Sequence, residues 1–131
     1  MNIALWIVQI ALALLFFYSG GFKSTQLKEK IIAAGQTGVY GFSLPFIRFI
    51  AICELFGAVG LILPWLLGVA PVLTPLAAVG LAIIMVGAGV AHAKLARANQ
   101  RRRRRELANV ATNVLVFTGC LFVAIVRLTM L

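Results

Sequence analysis

Apolar residues run along this chain in four long blocks separated by short polar stretches. Ile3–Phe22 has no charge across twenty residues and is interrupted only by Gln9 and the Tyr18–Ser19 pair. That length, at about 1.5 Å per residue, matches a bilayer hydrocarbon core of about 30 Å. It begins with no basic segment before it, and Phe17–Lys23 lacks the small-residue pattern of a signal cleavage site. The pattern therefore predicts a retained transmembrane helix over residues 3–22. A second span is predicted over 45–63, with Pro45 in its first turn, where the missing N–H costs nothing.

From Leu55 to Ala91 no charge occurs for 37 residues. One continuous helix of that length would reach about 55 Å, so the chain must turn back. Pro64, Gly68, Pro71 and Pro75 mark the expected turn, which leaves a third span over 72–91. A fourth follows over 107–126, ending beside Arg127. The expected architecture is all-α: one polytopic four-helix transmembrane bundle spanning residues 1–131, with polar loops at 23–44 and 92–106. Within the first loop, Gln26–Ala34 suits a short interfacial helix, and Gly35, Gly38 and Gly41 loosen the return to Pro45. The loop reads as a linker or as a flap over a cavity.

Helical spacing places Ile47, Ile50, Ala51, Glu54, Gly57, Ala58 and Leu61 on one face of the second span. Small residues around Glu54 let a neighbouring backbone come close, so this face should turn into the bundle. Gly80, Gly87, Ala88, Gly89 and Ala91 thin the third span in the same way. The fourth span carries a polar stripe of Glu106, Asn109, Asn113 and Cys120.

Composition agrees with the bilayer as solvent. Hydrophobic residues make up 63% of the chain and charged residues 11%, with a mean hydropathy of +1.06; so few charges could not cover a soluble fold of this size. The net charge of +9 sits mostly between spans. Eleven of the twelve basic residues fall in or beside the first and third loops, which the positive-inside rule makes cytoplasmic, with both termini outside. Arg101, Arg102, Arg103, Arg104 and Arg105 read as a topology signal and a contact for anionic lipid headgroups. Nucleic-acid binding is not expected, because no aromatic residue interleaves with them.

Candidate chemistry centres on Glu54, one of three acidic residues and the one inside an apolar block, where a carboxylate costs several kcal/mol without a partner or a task. Glu29 and Glu106 lie in basic stretches that read as water-facing. Counted from the basic edge, Glu54 is about nine residues deep and Asn113 about six, a difference of about 5 Å. Asn113 of the fourth span and Tyr18 of the first are therefore expected donors to Glu54, with Asn109 on the same stripe. His92 at the end of the third span reads as interfacial and solvated. No second His and no Cys or Asp at ligand spacing accompanies it, so no metal site is expected. Cys53 and Cys120 differ in depth by about 8 Å, which argues against a disulfide. No arrangement for nucleophilic catalysis is evident and a catalytic residue cannot be named.

The segments FFYSGGFKS (Phe16–Ser24), LKEKIIAAG (Leu27–Gly35), ICELFGAVGLILP (Ile52–Pro64) and AHAKLA at the end of the third span are similar to those of DoxX-like membrane proteins. The resemblance covers nearly the whole chain and implies a four-helix bundle in the bacterial cytoplasmic membrane. It maps the family's polar positions onto Lys23, Glu54 and His92. Some relatives are linked to thiosulfate–quinone oxidation or membrane redox complexes, and distant animal relatives to cargo export or receptor assembly. Three functions follow as expectations: a subunit binding quinone or another lipophile for a redox system, a small proton-coupled transporter acting as a homo-oligomer, or a noncatalytic factor that assembles membrane-protein partners.

Overall fold

A computed structural model describes residues 2–131. Its helices are α1 (Asn2–Thr25), α2 (Lys28–Ala33), α3 (Leu44–Leu67), α4 (Leu73–Ala98) and α5 (Arg103–Thr129), with a short 3-10 turn at Thr37–Val39 between α2 and α3. There is no strand among the described residues. Four helices, Ile3–Thr25, Leu44–Leu67, Leu73–Ala98 and Arg103–Thr129, are long and apolar enough to cross a membrane. The molecule is an all-α membrane protein with four spans. Leu14, Phe17, Phe56, Leu76 and Leu115 stand exposed on the bundle surface, as residues that meet lipid do. The polar loops gather at one end, called here the basic end.

The helices run past the predicted blocks: α1 continues to Thr25, α4 to Ala98 and α5 begins at Arg103, all through segments that carry polar residues, whereas α3 continues through the apolar Pro64–Leu67. Pro64 is the clearest departure. Instead of marking the turn, it lies inside α3, which continues to Leu67 and ends at Gly68 in the left-handed conformation (φ 68°). Pro75 likewise sits in the first turn of α4. Proline is tolerated inside a membrane helix where neighbours satisfy the backbone it disturbs. Gln9 reaches the same turn, its side-chain amide donating to the carbonyl of Leu61, three residues before Pro64, at 2.6 Å, while the carbonyl that loses its N–H to Pro64 is that of Gly60.

Gln9 also joins α1 to α5. Its Oε1 accepts from Nε of Arg127 at 2.7 Å. The guanidinium lies 5.0 Å from the ring centre of Trp6 and 4.4 Å from that of Trp65. Arg127 is therefore fully buried, not a terminal charge in water, and it packs α1, α3 and α5 together at the end opposite the loops. Arg carries its charge in a flat, weakly hydrated group that stacks on aromatic faces.

α3 and α4 pack tightly on the half nearer their connecting turn. A Cβ on Gly57 would meet Leu81 Cδ2 at 2.6 Å, and one on Gly60 would meet the Cβ of Ala77 at 2.8 Å. α1 meets α3 similarly at Gly20, where a Cβ would lie 2.7 Å from the Ala51 carbonyl oxygen. The glycines expected to thin α4 do not serve that purpose: Gly80, Gly87 and Gly89 have nothing within 4 Å of a Cβ position. Gly60→Ala is thus expected to destabilise the bundle by about 1–3 kcal/mol through overpacking against a rigid neighbour. Gly80→Ala is expected to be neutral or stabilising by up to about 1 kcal/mol. Paired unfolding titrations in detergent check both; equal effects would show that the α3–α4 approach is not tight.

Candidate functional site

Glu54 projects from α3 into the bundle, fully buried, as its helical face predicts. Its partner is Lys23, in the last turn of α1, with Nζ 2.5 Å from Oε1. The Gly20 contact brings α1 close enough to α3 for the long lysine side chain to span the gap. Arg48 of α3 holds the end of α1 in place by donating from Nη1 to the Lys23 carbonyl at 2.7 Å. Lys23 engages Oε1, which leaves Oε2 buried with unpaired acceptor capacity.

The expected Asn113 and Tyr18 bonds to Glu54 do not form. Asn113 has its side-chain nitrogen buried and without a partner, and Tyr18 is 68% exposed with its ring stacked on Phe22. A lysine outcompetes both, because a buried carboxylate gains more from a cation than from neutral donors.

A second polar cluster lies at the basic end, and here sequence reasoning missed the central residue. Glu106 is 0% exposed despite the five arginines before it. Thr37 of the first loop donates to its Oε1 at 2.6 Å. His92 Nδ1 lies 2.9 Å from Oε2, and Asn109 donates to Oε1 at 3.3 Å. A carboxylate only accepts, so the hydrogen in the His92 bond sits on Nδ1. His92 is consequently buried and bonded, not a solvated interfacial residue. The signal available in the sequence was spacing: Glu106 and Asn109 are three apart on one helical face. Nothing local pointed to Thr37.

Between the clusters lies a cavity of about 510 Å³, within the range of about 300–1,000 Å³ typical of small-molecule sites. All four spans contribute, together with Gly35, Gln36, Val39 and Phe42 of the first loop. That loop is therefore a cover over the cavity and not a plain linker. Lys23, Glu54, His92, Asn109, Asn113 and Tyr18 all line it, so the structure gathers around one space every residue proposed for it from the sequence. The remaining wall is largely hydrocarbon: Phe16, Phe46, Ile47, Ile50, Ile84 and Val116. Arg101–Arg105 are exposed at the α4–α5 connection and are not among its lining residues. Cys53 and Cys120 are free thiols, the first half-buried and the second buried.

Such a site can hold a molecule with a polar head and an apolar body. Glu54 offers acceptors, and Asn113 offers a donor that nothing in the protein uses. Neither a search of curated proteins nor one of solved structures found a match. The profile of the DoxX-like family matches residues 7–123, taking in Lys23, Glu54, His92, Asn109 and Asn113. Four spanning helices and a match over most of its length make this chain a member of the DoxX-like family of membrane proteins.

Proposed function

We propose that the protein is a ligand-binding membrane subunit that holds a quinone or another lipophile with a small polar head. The observation that carries this reading is the unspent hydrogen-bonding capacity inside an apolar-walled cavity: Glu54 Oε2, the oxygen not engaged by Lys23, and the Asn113 amide nitrogen are buried without a hydrogen-bond partner. Orphaned polar atoms cost a membrane protein stability, so a site that retains them is suited to a ligand that satisfies them. A carbonyl on the head would accept from Asn113, and a hydroxyl would donate to Glu54. The reading extends to association with a membrane redox system, to which some DoxX-like proteins are linked. The excess of lysine and arginine at the loop end supports both termini outside and the Arg101–Arg105 run against anionic headgroups, and the family likeness supports a bacterial inner membrane as the protein's location.

Native mass spectrometry of the protein released from mild detergent, beside Glu54→Gln, tests this reading. The wild type is expected to carry a small-molecule adduct. Glu54→Gln is expected to lose it, since one charged hydrogen bond is worth about 1.5–3 kcal/mol, a factor of at least about ten in affinity. A bare protein in both samples would overturn the proposal. A co-purifying polypeptide would favour the assembly role instead.

A further inference from the structure

The cavity is not closed off from the bilayer on every side. α3 and α4 touch closely at Gly57 and Gly60, on the half near their turn, and both helices line the cavity on the half near the basic end. Phe46, near the basic end of α3, and Ile83, near the middle of α4, belong to the cavity wall yet remain 44% and 66% exposed. Wall and outer surface are continuous at these residues. Gly87, one helical turn from Ile83 on the same face, also lines the cavity, and a side chain there would enter open space. The exposed lining residues of α1 and α5 are Leu15, Tyr18 and Thr112, two of which bring hydroxyl groups; Phe46, Ile83 and Gly87 bring none.

We infer that the gap between α3 and α4 at Phe46, Ile83 and Gly87 is a lateral portal through which the hydrocarbon tail of the ligand lies, with the head at Lys23, Glu54 and Asn113. This rests on the lipophile reading and adds to it the ligand's shape: a single-tailed amphiphile that enters from the bilayer. Position supports it. Gly87 lies five residues from His92 and fourteen from Leu73, so the portal opens at hydrocarbon depth, where a tail is already dissolved. The polar groups stand deeper in the bundle. An amphiphile sliding in head first reaches them without drawing its tail through water.

Gly87→Leu places a bulky side chain at the portal, starting from a Cβ position with nothing within 4 Å. In nanodiscs, two probes are titrated by mole fraction in lipid: a benzoquinone with a ten-carbon tail and the same ring with a methyl group in its place. Wild type is expected to bind the tailed probe at least about tenfold more tightly, and Gly87→Leu to erase that preference by weakening the tailed probe far more than the methyl probe. A tailed preference that survives Gly87→Leu would overturn the portal. If the wild type binds neither quinone, that ligand class fails, and the portal is judged separately by a phospholipid carrying a photoreactive group at the end of one tail. Labelling of Ile50 or Ile84 in wild type but not in Gly87→Leu upholds it; labelling confined to outward-facing residues in both overturns it.

Discussion

Lys23→Met is expected to destabilise the folded bundle by about 3–5 kcal/mol, the cost of leaving one charge of a buried pair without its partner. Lys23 and Glu54 lie 2.5 Å apart, the carboxylate 1% and the lysine side chain 12% exposed, and Arg48, the nearby cation, is engaged with the Lys23 carbonyl. The informative companion is the double variant Lys23→Met with Glu54→Leu. Replacing both members of a buried pair by apolar residues of similar size is often neutral or stabilising, so the double variant should recover most of the loss. Unfolding titrations in detergent measure both. If the recovered protein has also lost its ligand, the pair is held at a cost to stability for the sake of binding. A double variant as unstable as the single would show instead that the pair is a structural clasp.

The second large effect is expected at the opposite end. Gln9→Leu removes the acceptor of Arg127 Nε and the donor to the Leu61 carbonyl together. It leaves a guanidinium fully buried among two tryptophans with no anion beside it. Each orphaned polar group costs about 1–3 kcal/mol, and a charged one more, so a loss of at least about 2–4 kcal/mol is expected. Arg127→Leu should cost less than Gln9→Leu, because it removes the charge itself and leaves only a neutral amide oxygen unpaired. Melting temperatures of the two variants in one detergent decide the order, and Arg127→Leu being the worse would assign the stability to stacking on Trp6 and Trp65 in place of charge satisfaction. Arg127→Lys is a useful third, since an ammonium keeps the charge but loses the flat stacking face.

The spans were legible because each reports itself locally: about twenty uncharged residues and a break are visible without knowledge of any partner. The inward face of α3 was legible for the same reason, through the spacing of Ile47, Ala51, Glu54, Ala58 and Leu61, all of which are buried. What the sequence hid is pairing between distant residues. Glu106 sits after five arginines and reads as solvated, yet its partners come from the first loop and from the end of α4. Arg127 lies at the edge of the last apolar block and reads as terminal, yet Gln9 receives it. Lys23 was pointed to by family likeness and not by charge pattern, because a lysine at a span's end ordinarily reaches out to headgroups. Pro64 misled because a membrane helix can carry a proline in its interior, which a linear pattern does not reveal.

The bond between Thr37 and Glu106 joins residues 69 positions apart, and that between Gln9 and Arg127 joins residues 118 apart. A chain leaving the ribosome has made its first loop long before Glu106 exists, and its first helix long before Arg127. Through most of synthesis both ends of the bundle are unfastened, with Lys23 and Glu54 already in the bilayer. α5, inserted after the other three spans, fastens both ends. A chain that stops before α5 therefore holds three helices whose unsatisfied polar groups distinguish them from the four-helix bundle.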